Sequence, residues 1–153
     1  MSKAVGESVL IHAHEAYPLR QMVLRPYLSV DEVGADYDHA DGTFHVGYKV
    51  DDRIVAIMSV LRDPIPDSVF GGGEDAWRIR SMASHPDQRG SGCGGKVLEF
   101  GMQHALGIAR IPFWCNARRV AYGFYERFGF EIVSDEFEIE GIGPHRVMVR
   151  QID

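Results

Sequence analysis

Arg89-Gly90-Ser91-Gly92-Cys93-Gly94-Gly95-Lys96 is a glycine-dense turn that runs straight into an amphipathic helix. Glycine carries no Cβ, so successive backbone N–H groups can point inward together, and the helix behind adds unsatisfied donors and the positive end of its dipole. Such a turn suits an anion, a phosphate above all. Three phosphate-binding patterns overlap on it, and spacing separates them. Gly90, Gly92 and Gly95 satisfy G-x-G-x-x-G, but a dinucleotide site also needs an acidic residue about 20 positions on, where this chain has Cys115-Asn116. Gly90 to Lys96 fits G-x-x-x-x-G-K, yet the hydroxyl residue that would hold magnesium is Val97. The third pattern, R-x-x-G-x-G, is met by Arg89, Gly92 and Gly94.

That third pattern resembles the acetyl-coenzyme A loop of the GNAT family of N-acetyltransferases, and the likeness extends on both sides. Upstream, Trp77-Arg78-Ile79-Arg80-Ser81-Met82-Ala83-Ser84-His85-Pro86-Asp87-Gln88 is similar to the family's fourth strand and the turn into its cofactor loop. Downstream, Phe113 to Arg118 and then Ala121 to Phe130 are similar to the strand, helix and F-Y-x-x-x-G-F ending that follow. Val23-Leu24-Arg25-Pro26 and Gly141-Ile142-Gly143-Pro144-His145 resemble segments of a bacterial subset of the family. The resemblance implies one α/β domain over 1–153, with a mixed, mostly antiparallel sheet of about six or seven strands flanked by about four helices. It also implies that the fourth and fifth strands splay apart and that the pantetheine arm of acetyl-CoA, the acetyl donor, lies in the gap.

Bulk properties agree with that size and exclude other classes. A chain of 153 residues can bury roughly two-thirds of its unfolded surface without metals or disulfides. Its composition, 45% hydrophobic and 25% charged, is ordinary for a soluble globule. No segment approaches the roughly 18 apolar residues of a membrane span, and Met1 to Glu7 lack the zones of a secretory signal. Two cysteines, Cys93 and Cys115, form no framework pattern, which points to a reducing cytoplasm. A net charge of −6 repels polyanions, so nucleic acid and anionic membrane are poor partners. An anion site must then be local, and Arg89, Lys96, Arg118 and Arg119 are the cations near the expected groove.

Along the chain, Val9 to His12 reads as a first strand and Glu15 to Leu24 as a helix with Pro18 near its first turn. Phe44 to Val50 and Ile54 to Leu61 read as antiparallel strands about an Asp51-Asp52 turn. Pro64, Pro66 and the glycines at 71 to 73 make Asp63 to Asp75 a mobile loop. Ala76 to Ala83 is the next strand, and Lys96 to Arg110 a helix with Val97, Leu98, Met102, Ala105, Leu106 and Ala109 on one face. Ile111 to Asn116 is a strand, Arg118 to Phe128 a helix stopped by Gly129, and Phe130 to Val133 and Arg146 to Arg150 close the sheet.

Acyl transfer to an amine passes through a tetrahedral oxyanion, and losing one preorganised donor to such a centre costs about 3 to 4 kcal/mol. By resemblance the donor is a backbone amide within Met82, Ala83 and Ser84, whose main chain also binds the pantetheine amides. Arg89, Gly90, Ser91, Gly92, Cys93, Gly94 and Gly95 take the diphosphate. Asn116 either bonds the cofactor or caps the following helix. Tyr125 fills the family's tyrosine position and is the candidate acid for the departing thiolate, with Tyr122 the runner-up. His145 is either a general base, a substrate contact, or a loop histidine bonded to backbone. Arg78 and Arg80 stand where many members of the family carry an acid, and a guanidinium there can recognise an acidic acceptor.

No metal is expected, since His12 and His14, read as pointing to one face of a strand, have no Cys or acidic partner to complete a ligand set. Cys93 lacks the elbow and histidine of a nucleophile and reads as a small filler, and His85 reads as structural. The partner expected is the amine of a small molecule, amino acid derivative or peptide. Homodimers are common in the family, though no apolar stripe here marks an interface. A sensor or partner-binding module with the same fold and little catalysis is the alternative.

Overall fold

The computed structural model describes residues 6–152. Residues 1–5, on which most of the reading of an absent signal rests, fall outside them. The fold is α/β, as expected, with a mixed sheet of eight strands and three α-helices, one strand more and one helix fewer than the resemblance implies. Among the described residues no helix is long and apolar enough to cross a membrane. The chain forms two compact units, one comprising residues up to Leu61 with Ser81–Ile108, the other Arg62–Arg80 with the residues from Ala109 on.

In the first unit, β1 (Glu7–Ile11) pairs antiparallel with β2 (Phe44–Val50), which pairs antiparallel with β3 (Arg53–Arg62). Asp51 and Asp52 have φ of 51° and 63°, the left-handed pair that a tight two-residue hairpin needs. Residues 55–61 of β3 are all buried, so this strand reads as a continuous apolar run because both of its faces are covered. On one face Ile57 packs with Ile11, Ala83 and, from α1 (Ala13–Leu19), Ala16 and Leu19. On the other, α2 (Cys93–Ile108) comes so close that a Cβ on Gly101 would stand 2.1 Å from Met58 Cε. Helix α2 begins three residues before the expected Lys96, inside the glycine turn.

Pro18 lies inside α1 rather than in its first turn. The expected helix to Leu24 is α-helical only to Leu19 and continues as one widened turn, Arg20–Leu24, in which the Arg25 N–H reaches the Arg20 carbonyl at 3.1 Å. His12 caps α1 and His14 lies within it, their rings stacked 5.8 Å apart, so the expected strand placement of this pair is wrong.

In the second unit, the start of β4 (Trp77–Ser84) runs parallel to β5 (Phe113–Arg118), and β8 (Gly143–Arg150) lies antiparallel to β5 along all six of its residues. Two short strands, β6 (Glu131–Ile132) and β7 (Phe137–Ile139), also pair with β8. Helix α3 (Tyr122–Arg127) is shorter than expected because Arg119–Ala121 forms a separate 3₁₀ turn. It ends as foreseen at Gly129, whose φ of 88° lets the Phe130 N–H close back on the Tyr125 carbonyl at 3.2 Å.

The segment 63–75 lacks helix and strand, but it is braced rather than loose. Ile65 is buried, its N–H meets the Glu74 carbonyl at 2.9 Å, and its carbonyl accepts from Gly73 at 2.7 Å. The Trp114 indole donates to the Asp63 carbonyl at 2.7 Å. Ile65, Ala76, Trp114, Val147 and Val149 form the core of this unit. A Cβ on Gly72 would sit 2.6 Å from the Pro66 carbonyl oxygen and 2.7 Å from Asp67 Cα, both backbone atoms that cannot rotate away. Gly72→Ala should accordingly lower stability by about 1–3 kcal/mol, read as a fall in the urea midpoint with an unchanged slope.

Candidate active site

The glycine turn and the strand that feeds it belong to the first unit. Strand β4 ends at Ser84, and the His85 N–H donates to the Val55 carbonyl of β3 at 2.7 Å, so the exit from the strand is pinned. His85 Nδ1 accepts from the Asp87 N–H at 3.2 Å, and Arg53 reaches Asp87 at 3.0 Å, which gives His85 the structural role expected of it. Gly90 and Gly92 then adopt φ of 83° and 87°, a left-handed backbone that a side chain would strain, and a Cβ at either would meet nothing within 4 Å. The glycines are there for backbone conformation and for open approach.

The Lys96 N–H returns to the Gly92 carbonyl at 3.2 Å and closes the first turn of α2. The N–H groups of Cys93, Gly94 and Gly95, inside that turn, have no intrahelical acceptor. Ser91 differs from its neighbours, since its N–H and hydroxyl both go to the Gln88 carbonyl, at 3.1 and 2.6 Å. Cys93 is buried with Sγ 3.9 Å from Ser84 Oγ, the filler role expected of it. Arg89 is exposed beside the turn, whereas Lys96 lies over the Tyr48 ring, 5.6 Å from its centroid.

Within β4 the backbone breaks its extended run at Ser81, with φ of 54°. Met82, Ala83 and Ser84 follow directly. In the second unit, the parallel ladder of β4 and β5 is only two pairs long, Trp77 with Phe113 and Arg78 with Trp114.

The remaining candidates also lie in the second unit. Tyr125 is buried, 5% exposed, between Phe124 and Phe130, with its hydroxyl against the Cys115 thiol. Burial, reinforced by Cys115, pushes the phenol well above its usual range, and burial does the same to the Cys115 thiol. Tyr125 is therefore a protonated donor at any physiological pH. Tyr122, the runner-up, donates instead to Glu136 at 3.0 Å. Glu136 is held at about 2, first by its hydrogen bonds from Arg119, so Arg119 has a carboxylate partner and is not free to offset a diphosphate.

His145 lies on β8, not in the expected loop, because Phe137–Ile139 forms a strand that the sequence reading missed and pairs with Gly143–His145. Its ring is buried and stacked on Phe137, and Nδ1–H donates to the Gly143 carbonyl at 2.7 Å. In the neutral ring Nε2 then carries the lone pair. The missed signal was the alternation Phe137-Glu138-Ile139-Glu140, only three residues of which pair. Asn116 is half-buried on β5 opposite Val147, and since the next helical turn is capped by Arg118, the capping role falls away. Arg78 is already taken up, 3.0 Å from Asp63 and stacked over Trp114, so acceptor recognition by Arg78 loses its support. Among the described residues no group of three or more metal-ligating side chains forms.

Comparison with known proteins assigns the chain to a family. The family profile of the acetyltransferase (GNAT) domain matches residues 40–132. The chain is 30% identical over 143 residues to the uncharacterized N-acetyltransferase YitI of Bacillus subtilis (strain 168), covering 93% of each chain. Its fold is similar to that of Escherichia coli ElaA, with a TM-score of 0.73 at 20% identity over 97% of this chain and 100% of that one. It is also similar to that of an aminoglycoside 6'-N-acetyltransferase complexed with coenzyme A, with a TM-score of 0.70 at 11% identity over 94% and 95% of the two chains. Fold and family profile together define an acyltransferase. The chain belongs to the GNAT family of N-acetyltransferases.

Proposed function

We propose that this protein transfers an acetyl group from acetyl-CoA to the primary amine of a small molecule, amino acid derivative or peptide, and that residues 1–153 act as one catalytic domain. The observation that carries this reading is the glycine turn, in which three first-turn amides of a sixteen-residue helix lack intrahelical partners and Gly90 and Gly92 hold the left-handed backbone. Arg89 and the amides of Gly90, Gly92, Cys93, Gly94 and Gly95 bind the diphosphate. The aminoglycoside enzyme named above, solved with coenzyme A, has this fold.

In the reaction the amine nitrogen attacks the thioester carbon. Backbone N–H groups within Met82–Ser84 stabilise the oxyanion, the C–S bond breaks, and the departing sulfur takes the Tyr125 proton. An aliphatic amine near pKa 10.4 is overwhelmingly protonated at neutral pH, so it first gives one proton to His145 Nε2 or to water, and the second proton it sheds as the amide forms returns through water to the Tyr125 phenolate. Arg78 and Arg80 replace a direct carboxylate base on β4, and this favours a cofactor-binding sensor as the second reading.

Calorimetry and thiol release decide between them. Acetyl-CoA should bind at micromolar levels, ATP and NAD should leave the melting temperature unmoved, and at least one amine in a broad panel should raise thiol release. Absence of acetyl-CoA binding at millimolar concentration would refute the assignment, and binding without turnover would favour the sensor.

A further inference from the structure

Among the described residues only Asp51, Asp52 and Ser81 hold positive φ without being glycine, and Ser81, at 54°, is the one inside a strand. A serine keeps a left-handed backbone there only if its surroundings hold it. Such a hold is present. The Tyr37 hydroxyl lies 2.8 Å from Ser81 Oγ, across 44 residues of sequence. Tyr37 sits on the 3₁₀ turn Asp36–His39, and that turn is itself anchored. Asp38, next in sequence, accepts the Ala35 N–H at 2.8 Å and takes a two-pronged contact from the buried Arg20 guanidinium at 2.9 and 3.0 Å. Buried charge, turn, tyrosine hydroxyl and strained serine thus form one rigid chain of contacts. It ends at the peptide joining Ser81 to Met82, the start of the backbone run that receives the thioester in the reading above.

We propose that Tyr37 is a positioning residue for acyl transfer, acting through Ser81 to aim the Ser81–Met82 peptide at the thioester carbonyl. Tyr37 itself touches no reacting atom. The proposal rests on the acetyl-CoA reading of this site. Without the Tyr37 bond the strained φ of Ser81 loses its side-chain anchor, so the backbone relaxes toward the extended region and turns the following N–H away. Such a change weakens contacts to the acyl group and leaves the diphosphate turn untouched.

Acetyl-CoA and CoA differ only in the acyl group, so their relative affinity for the full chain reads this contact directly. Calorimetric titration should show Tyr37→Phe and Ser81→Ala each lowering the preference for acetyl-CoA over CoA by about tenfold. Affinity for CoA alone should stay within about twofold, and the double variant should lose no more than either single one, because both remove the same bond. Ser81→Gly, which the left-handed backbone accepts without strain, should keep most of the preference that Ser81→Ala loses, and this contrast serves if Tyr37→Phe fails to fold. An unchanged preference in folded Tyr37→Phe and Ser81→Ala, or losses that add in the double variant, would overturn the proposal while leaving the acetyl-CoA reading intact. Failure of the wild type to bind either carrier would overturn both.

Discussion

Asp38→Ala should lower the stability of the protein by about 3–5 kcal/mol, the largest change expected from any single substitution considered for this chain. Asp38 and Arg20 form a bidentate pair whose side chains are almost wholly removed from solvent, at 0% and 4% exposure. Taking away the carboxylate leaves a buried guanidinium with no anionic partner, facing the Val33 carbonyl at 2.9 Å, Ser59 Oγ at 3.3 Å and the Tyr17 and Tyr37 rings. It also strips the Ala35 N–H and the Tyr17 hydroxyl of their acceptor. The rest of the cluster is closed on itself. His45 Nε2–H donates to the Asp38 carbonyl at 3.0 Å and Nδ1 accepts from Ser59 at 2.7 Å, so no neighbour is placed to replace the lost charge.

Burial by itself raises the Asp38 carboxyl, but the hydrogen bonds from Arg20 and Ala35 outweigh it and hold the group below its ordinary value. The sign of the pH dependence follows. A carboxylate with a depressed folded pKa contributes its full stability above the unfolded value of about 4 and loses it as pH falls through the folded value. Urea midpoints of wild type and Asp38→Asn should therefore differ most above about pH 4 and converge below it. A loss under about 1 kcal/mol for Asp38→Ala would mean that the pair behaves as a solvated one.

Tyr125→Phe should lower kcat for thiol release by roughly 10²-fold with the amine that turns over best, and leave acetyl-CoA affinity and the melting temperature nearly unchanged. A phenol near pKa 10 donating to a thiolate of pKa near 8.5 works uphill by roughly 2 kcal/mol in water. Burial raises the Tyr125 phenol further, which makes a full transfer before bond breaking still less favourable. Transfer must then coincide with C–S cleavage, and the substitution slows turnover without abolishing it. The fold should tolerate it, since the ring keeps its contacts with Phe124 and Phe130, and the Cys115 thiol left behind is only a weak hydrogen-bonding group. An unchanged kcat would remove Tyr125 from the mechanism.

Much of the first unit could be read from its residues because its signals are local. The Asp51-Asp52 hairpin, the apolar run of β3 and the glycine turn leading into α2 each state a backbone preference within a few positions; the hairpin and β3 appear where expected, and α2 starts three residues early, at Cys93. The second unit was less legible. Strand β7 has three residues and forms because β8 supplies a partner, a fact no short window contains. His145 consequently moved from a loop to a buried strand position. The segment 63–75 carries the composition of a loose loop, yet Ile65 ties it down from a single position.

The sequence by itself determined an anion-binding turn, since backbone geometry there depends on glycine placement that the residues state outright, and the resemblance of the Arg89, Gly92 and Gly94 spacing and the segments around it to the GNAT family pointed to the acyltransferase class. Only the tertiary structure decided how the charges are spent. Arg78 goes to Asp63, Arg119 to Glu136 and Arg20 to Asp38, and Tyr37 comes to Ser81 across 44 residues. Partner choice depends on distance in space, and a one-dimensional pattern carries that information only for neighbours along the chain.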